Sequence, residues 1–174
     1  MKRLAITFLT VACLTLEASA QESRSLADDY VNAATNVCLK AMLSGSNIAD
    51  TPTAAVLVQP ASQAALAKNP LGAQGKLLEL KDRTDGVVTI LESKPKLCSV
   101  YVVGADSQTL FDALTNAIAT SGELAQRAPG KARDASWLPQ RNFRSADGNV
   151  VMELEGSVGD GANNLTMAHF GRKR

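Results

Sequence analysis

The stretch KLCSVYVVGADSQTLFDALTNAI, Lys96 to Ile118, decides the fold class. From Leu97 to Val103 the side chains alternate. Cys98, Val100 and Val102 share one face, and Leu97, Ser99, Tyr101 and Val103 share the other. Both faces are largely apolar, which predicts a strand in the middle of a sheet. Gly104-Ala105-Asp106 turns the chain, and Asp106 or Ser107 caps a helix. Leu110, Phe111, Leu114, Ala117 and Ile118 make its apolar stripe, and Thr120-Ser121-Gly122 ends it.

Upstream, SRSLADDYVNAATNVCLKAML reads as a second amphipathic helix. Ser25 is its N-cap, with Asp28 and Asp29 in or near the first turn, where the helix dipole favours negative charge. Leu26, Tyr30, Val31, Ala34, Val37, Cys38 and Ala41 recur along one face, so Cys38 points into the core. Ser44, Gly45 and Ser46 close the helix. Residues 45–75 mix Pro, Gly and Ala with little periodicity, and a short helix from Ala61 to Lys68, stopped by Asn69-Pro70, is expected between loops.

From Lys76 the pattern turns to strands: KLLELKD, then GVVTILES, with Lys94-Pro95 leading into Leu97. Residues 123–140 read as a long connection broken by Pro129-Gly130. Beyond it, Arg141 to Gly156 forms a hairpin on Asp147-Gly148, and NLTMAHF is the last strand before the basic tail GRKR. The sum is an α+β fold: an antiparallel sheet of about five strands with two main helices on one face.

The opening residues set the compartment. Lys2 and Arg3 precede an apolar run that closes on Ala18-Ser19-Ala20, the layout of a secretory signal peptide at 1–20. The run is too short for a transmembrane helix, which needs roughly 20 apolar residues. Cys13 offers a second reading, a lipid anchor, although Thr10 occupies the position where the lipoprotein box has Leu. The remaining 154 of the 174 residues, 21–174, fit a single exported domain, periplasmic or secreted. Without Lys2, Arg3 and Glu17 the Lys and Arg count falls from 18 to 16 and the Asp and Glu count from 17 to 16. A neutral chain of this kind argues against nucleic acid as a partner.

In an oxidising compartment the two remaining cysteines, Cys38 and Cys98, pair in the one intramolecular way open to them and pin the first helix to the sheet. Neither sits in a C-x-x-C motif, and Cys38 lies late in its helix, where the dipole opposes a thiolate. The bridge therefore reads as a structural staple.

The residues that could carry chemistry are few. His169 is the only histidine and shares a strand face with Leu165 and Met167; with a Ser and an acid it would make a hydrolase, but no G-x-S-x-G elbow accompanies it. One His and two paired cysteines supply no tetrahedral metal set, and DGVV, DGNV and GDGANN lack the acids of a calcium loop. GAQGK and VVGAD miss the phosphate-loop and dinucleotide spacings, so no cofactor is expected. Asn164-Leu165-Thr166 has the form of a glycosylation sequon, discounted because the short signal has a bacterial character. The remaining surface signal is the basic connection: Arg127, Lys131, Arg133, Arg141 and Arg144 against Asp134, with Trp137, the only tryptophan. Arginine beside tryptophan is hot-spot composition, suited to an envelope protein or a small anionic ligand. The simpler reading, in which Trp137 packs on the sheet and the arginines are solvated, outweighs it.

A helix carrying one Cys, then C-S-V-x-V, Gly-Ala-Asp and a Leu-Phe-x-x-Leu helix, resembles a group of small secreted proteins of Gram-negative bacteria with no assigned activity. The resemblance spans the signal, residues 25–42 and 87–118, and more loosely the terminal hairpins. It implies the exported α+β fold and the disulfide, and transfers no catalytic residue. The function expected from the sequence is a non-enzymatic binding or accessory role, with a His169 hydrolase or a lipid-anchored accessory protein as alternatives.

Overall fold

The computed structural model describes residues 25–63, 75–81, 88–92, 97–159 and 163–173. The expected signal peptide, Cys13, most of the helix expected at 61–68 and the Lys94-Pro95 turn lie outside them.

The first helix begins where the sequence places it. Ser25 accepts from the backbone of Asp28 while Asp28 reaches back to Ser25, a reciprocal capping box. Helix α1 (Leu26–Asn32) runs through a π-helical stretch, Ala33–Leu39, into α2 (Lys40–Ser44). The wider π turn adds Leu39 to a buried set of Tyr30, Ala33, Ala34, Val37, Cys38, Ala41 and Met42. A strict 3.6-residue stripe does not include Leu39, whereas Leu26 and Val31, expected in the stripe, are only half-buried. Gly45 ends the helix at φ 73°, a left-handed conformation that glycine adopts without penalty.

Residues 45–60 are more ordered than the composition suggests. A 3-10 turn at Ile48–Asp50 leads into α3 (Pro52–Leu57), and the chain then forms strand β1 (Val58–Pro60). Strands β2 (Lys76–Leu80), β3 (Val88–Glu92) and β4 (Leu97–Val103) follow. Helix α4 (Ser107–Ser121) is capped by Asp106, whose carboxylate accepts from the Thr109 backbone at 3.0 Å. The second set is β5 (Leu124–Gln126), β6 (Arg141–Ser145), β7 (Val150–Gly156) and β8 (Leu165–Arg172).

These strands form one antiparallel sheet of eight, not about five, in the order β1-β2-β3-β4-β8-β7-β6-β5. Two four-stranded meanders are joined by β4 against β8, with Cys98 opposite Phe170 and Ser99 opposite His169. The extra strands are the short outer ones. β1 and β5 have three residues each, too few for alternation to register, and β5 falls within what the sequence presents as a connection. β4 is central, as its two apolar faces require.

One face of the sheet carries Cys98, Val100, Val102, Met152, Leu154, Ala168 and Phe170, packed with the buried stripes of the N-terminal helix and α4 in a single core. Cys38 is bonded to Cys98, with Cα atoms 5.5 Å apart, inside the usual range for a bridge. The tail is not free: Arg172 closes β8, and its guanidinium donates to the carbonyls of Met42 and Leu43 at 2.7 and 2.6 Å, capping the end of α2 from the sheet. None of the described helices is long and apolar enough to cross a membrane.

Candidate functional site

Helices cover the inner face, so any site on the sheet must lie on the outer one. Register arranges that face in rows. One row runs Leu77, Leu91, Ser99, His169, Glu153, Asn142; the next runs Glu79, Thr89, Tyr101, Met167, Glu155. At the other side of the first row lie Leu97, Gly171, Val151, Arg144 and Ala125.

The segment after β5 crosses part of this face as a strap. Leu138 donates its N–H to the Gly156 carbonyl at 2.8 Å, and Val158 donates to the Ser136 carbonyl at 2.7 Å. Trp137 packs against Leu91, Tyr101 and Met167, a second small core with Leu77 and Leu165 at its margin. Arg133 lies over the Trp137 ring, 4.5 Å from its centroid, and pairs with Glu155. Gln140 donates to the same carboxylate at 3.2 Å. Trp137 therefore closes the strap onto the sheet, in the sense of the simpler sequence reading, and Arg133, although exposed, is held by Glu155 and the Trp137 ring.

The arginines of the connection do not form one surface. Arg141 and Arg144 are three positions apart on β6 and point to opposite faces. Arg141 turns to α4. It donates to Thr115 at 2.6 Å and Asp112 at 3.0 Å and lies 5.3 Å from the Phe111 ring centroid. Hydrogen bonding from Gln108 and Arg141 holds the Asp112 carboxyl below its ordinary range. Arg144 stands on the outer face opposite Ala125, exposed and without an ion pair among the described residues. Arg127 follows two residues after Ala125 on the same face, exposed in the same way, with its backbone N–H on the Asn142 carbonyl at 2.7 Å.

His169 faces outward with Met167 and Leu165, as alternation predicts. Its Nδ1 is hydrogen-bonded to the Ser99 hydroxyl at 2.8 Å, and Glu153 stands opposite on the other flanking strand. Burial pushes the imidazole below its ordinary value; Arg133 acts in the same direction, and Glu155 and Glu153 oppose it. Ser99 is 3 % exposed. The sequence named His169 but not its partner, because only the β4–β8 register brings Ser99 beside it. Both residues occupy central strands paired on either side, so the surrounding backbone N–H groups serve the ladder rather than an oxyanion.

The strap thus divides the outer face. Trp137 and Arg133 cover one part, and the strip of Leu97, Gly171 and Val151, bordered by Arg144 and Arg127, remains accessible, with Leu97 37 % exposed. Comparison of the chain with family models, curated proteins and solved structures gives no match.

Proposed function

We propose that the chain is an exported, non-enzymatic binding module that engages a protein of the bacterial envelope through the uncovered part of the outer sheet face. The observation that carries this reading is the placing of Arg127 and Arg144, both exposed and without ion pairs among the described residues, at the border of a half-buried apolar strip. Exposed arginine beside apolar surface is the composition of an interface rather than of a solvated face. The test is recovery of partners from the cell envelope by the tagged exported chain, wild type against Arg127→Glu with Arg144→Glu. A protein enriched by wild type and lost by the variant supports the reading; no enrichment by wild type overturns it.

A second reading rests on the 2.8 Å contact between Ser99 and His169. A Ser-His pair with Glu153 across the strand is the raw material of a hydrolase. It requires Ser99 to become accessible and an oxyanion donor to be freed from the ladder, and both requirements favour a structural role. Hydrolysis of an activated ester that disappears in folded His169→Ala and Ser99→Ala variants would establish the hydrolase instead.

A further inference from the structure

The two edges of the sheet are finished differently. At β1, the Lys81 N–H donates to the Leu57 carbonyl and the Ala61 N–H to the Leu77 carbonyl. Every second pair of an antiparallel ladder exchanges both bonds, so the outward groups of β1 belong to Val58 and Pro60. Pro60 has no N–H, which blunts that edge. At β5 the bond from Arg127 to Asn142 fixes the alternation the other way. Ala125 and Arg127 face β6, and Leu124 and Gln126 turn their N–H and C=O groups outward, with no backbone partner on that side among the described residues; Leu124 is buried and Gln126 exposed.

The side chains around this open edge are arranged for charge. Ala125 is small and exposed and stands between Arg144 and the edge. Arg127 lies on the same face, diagonal to Arg144, a separation of about 7–8 Å between such positions. Acidic side chains two residues apart on an extended chain are spaced by about 6.6–6.8 Å. A strand added beside β5 would place one carboxylate against Arg144 over Ala125 and the next against Arg127.

We infer that the β5 edge is a strand-addition site for an extended acidic segment of a partner protein, of the pattern acid-x-acid, held by main-chain bonds to the exposed Gln126 and by the Arg127 and Arg144 forks. This rests on the binding reading above and names the partner's chemistry. The test is titration of the exported chain with a synthetic peptide of alternating Val and Glu, with an alternating Val and Lys peptide as control. Two variants separate the contributions. Gln126→Pro removes an outward N–H at an edge position where proline is tolerated and leaves every charge in place. Arg127→Gln with Arg144→Gln removes the charges and leaves the edge. Intact disulfide and unchanged far-UV circular dichroism verify folding of both. Each variant is expected to weaken the Val-Glu peptide at least about tenfold, and the Val-Lys peptide is expected not to bind. Equal binding by Gln126→Pro and wild type, or no preference for Glu over Lys, overturns the inference. Envelope recovery with the same proline variant keeps the two claims apart: a partner retained by Gln126→Pro removes the edge mechanism and leaves the binding reading standing.

Discussion

Reduction of the Cys38–Cys98 bridge is the most quantitative perturbation this fold offers. The bridge spans a sequence separation of 60 and joins two cysteines that are both fully buried. In the chain-entropy account, opening a loop of that length restores about 4 kcal/mol of denatured-state freedom. The native state has other anchors for the same helix: its buried stripe, and the Arg172 bonds to Met42 and Leu43. The sulfurs stay in place on reduction, so the packed core loses little. The effect should therefore fall on the unfolded chain. With a urea dependence of about 2 kcal/mol per M, the midpoint should drop by about 2 M, and the slope should rise because the reduced denatured chain is less compact. The assay is urea unfolding of oxidised and reduced protein, followed by near-UV circular dichroism. Midpoints within about 0.5 M of each other would refute the entropic reasoning. Loss of the native near-UV signal on reduction without urea would show instead that the bridge holds the native packing together.

Three further outcomes follow from individual contacts. In Gly156→Ala the new methyl would lie 2.7 Å from Phe111 Cε2 and 3.1 Å from Ser107 Cβ, so β7 and α4 must separate; a loss of about 1–3 kcal/mol in urea unfolding is expected. The Tyr30 hydroxyl is fully buried and makes no hydrogen bond among the described residues, and burial pushes its ionisation far above the ordinary range. Tyr30→Phe should be neutral or stabilising by about 1–2 kcal/mol, and a marked destabilisation would reveal a partner for that oxygen. Because burial depresses His169 in the folded state, the unfolded chain binds that proton at higher pH. Its contribution is complete above about pH 6.5 and is lost as pH falls through that value toward the folded pKa. Stability measured at about pH 7.5 and 5.5 should decline more for wild type than for His169→Gln; equal declines would remove the burial argument.

The outer face was only partly legible before folding. Alternation alone put His169 beside Met167 and Leu165, and composition alone pointed to Trp137 and the arginines. What alternation cannot supply is the neighbour across a strand boundary. Ser99 lies 70 positions from His169, and no spacing in the chain links them. Arg141 and Arg144 looked like one basic surface because they are close in sequence, yet strand geometry sends Arg141 to Asp112 on α4 and leaves Arg144 outside.

The sequence by itself determined the local elements: the Ser25 cap, a cap at Asp106 or Ser107 that the structure places on Asp106, the glycine helix ends at Gly45 and Gly122, and the two-faced strand β4. Each is encoded within a few residues, where capping, φ preference and periodicity act; the Cys38–Cys98 link, 60 positions apart, followed instead from there being one intramolecular pairing open to two cysteines. Tertiary structure decided the strand order, the strap over Trp137, the Arg172 cap on α2 and the open edge at β5. Those depend on ladder bonds and packing between distant segments. A three-residue strand becomes a strand only when its neighbour supplies the other half of the hydrogen bonds.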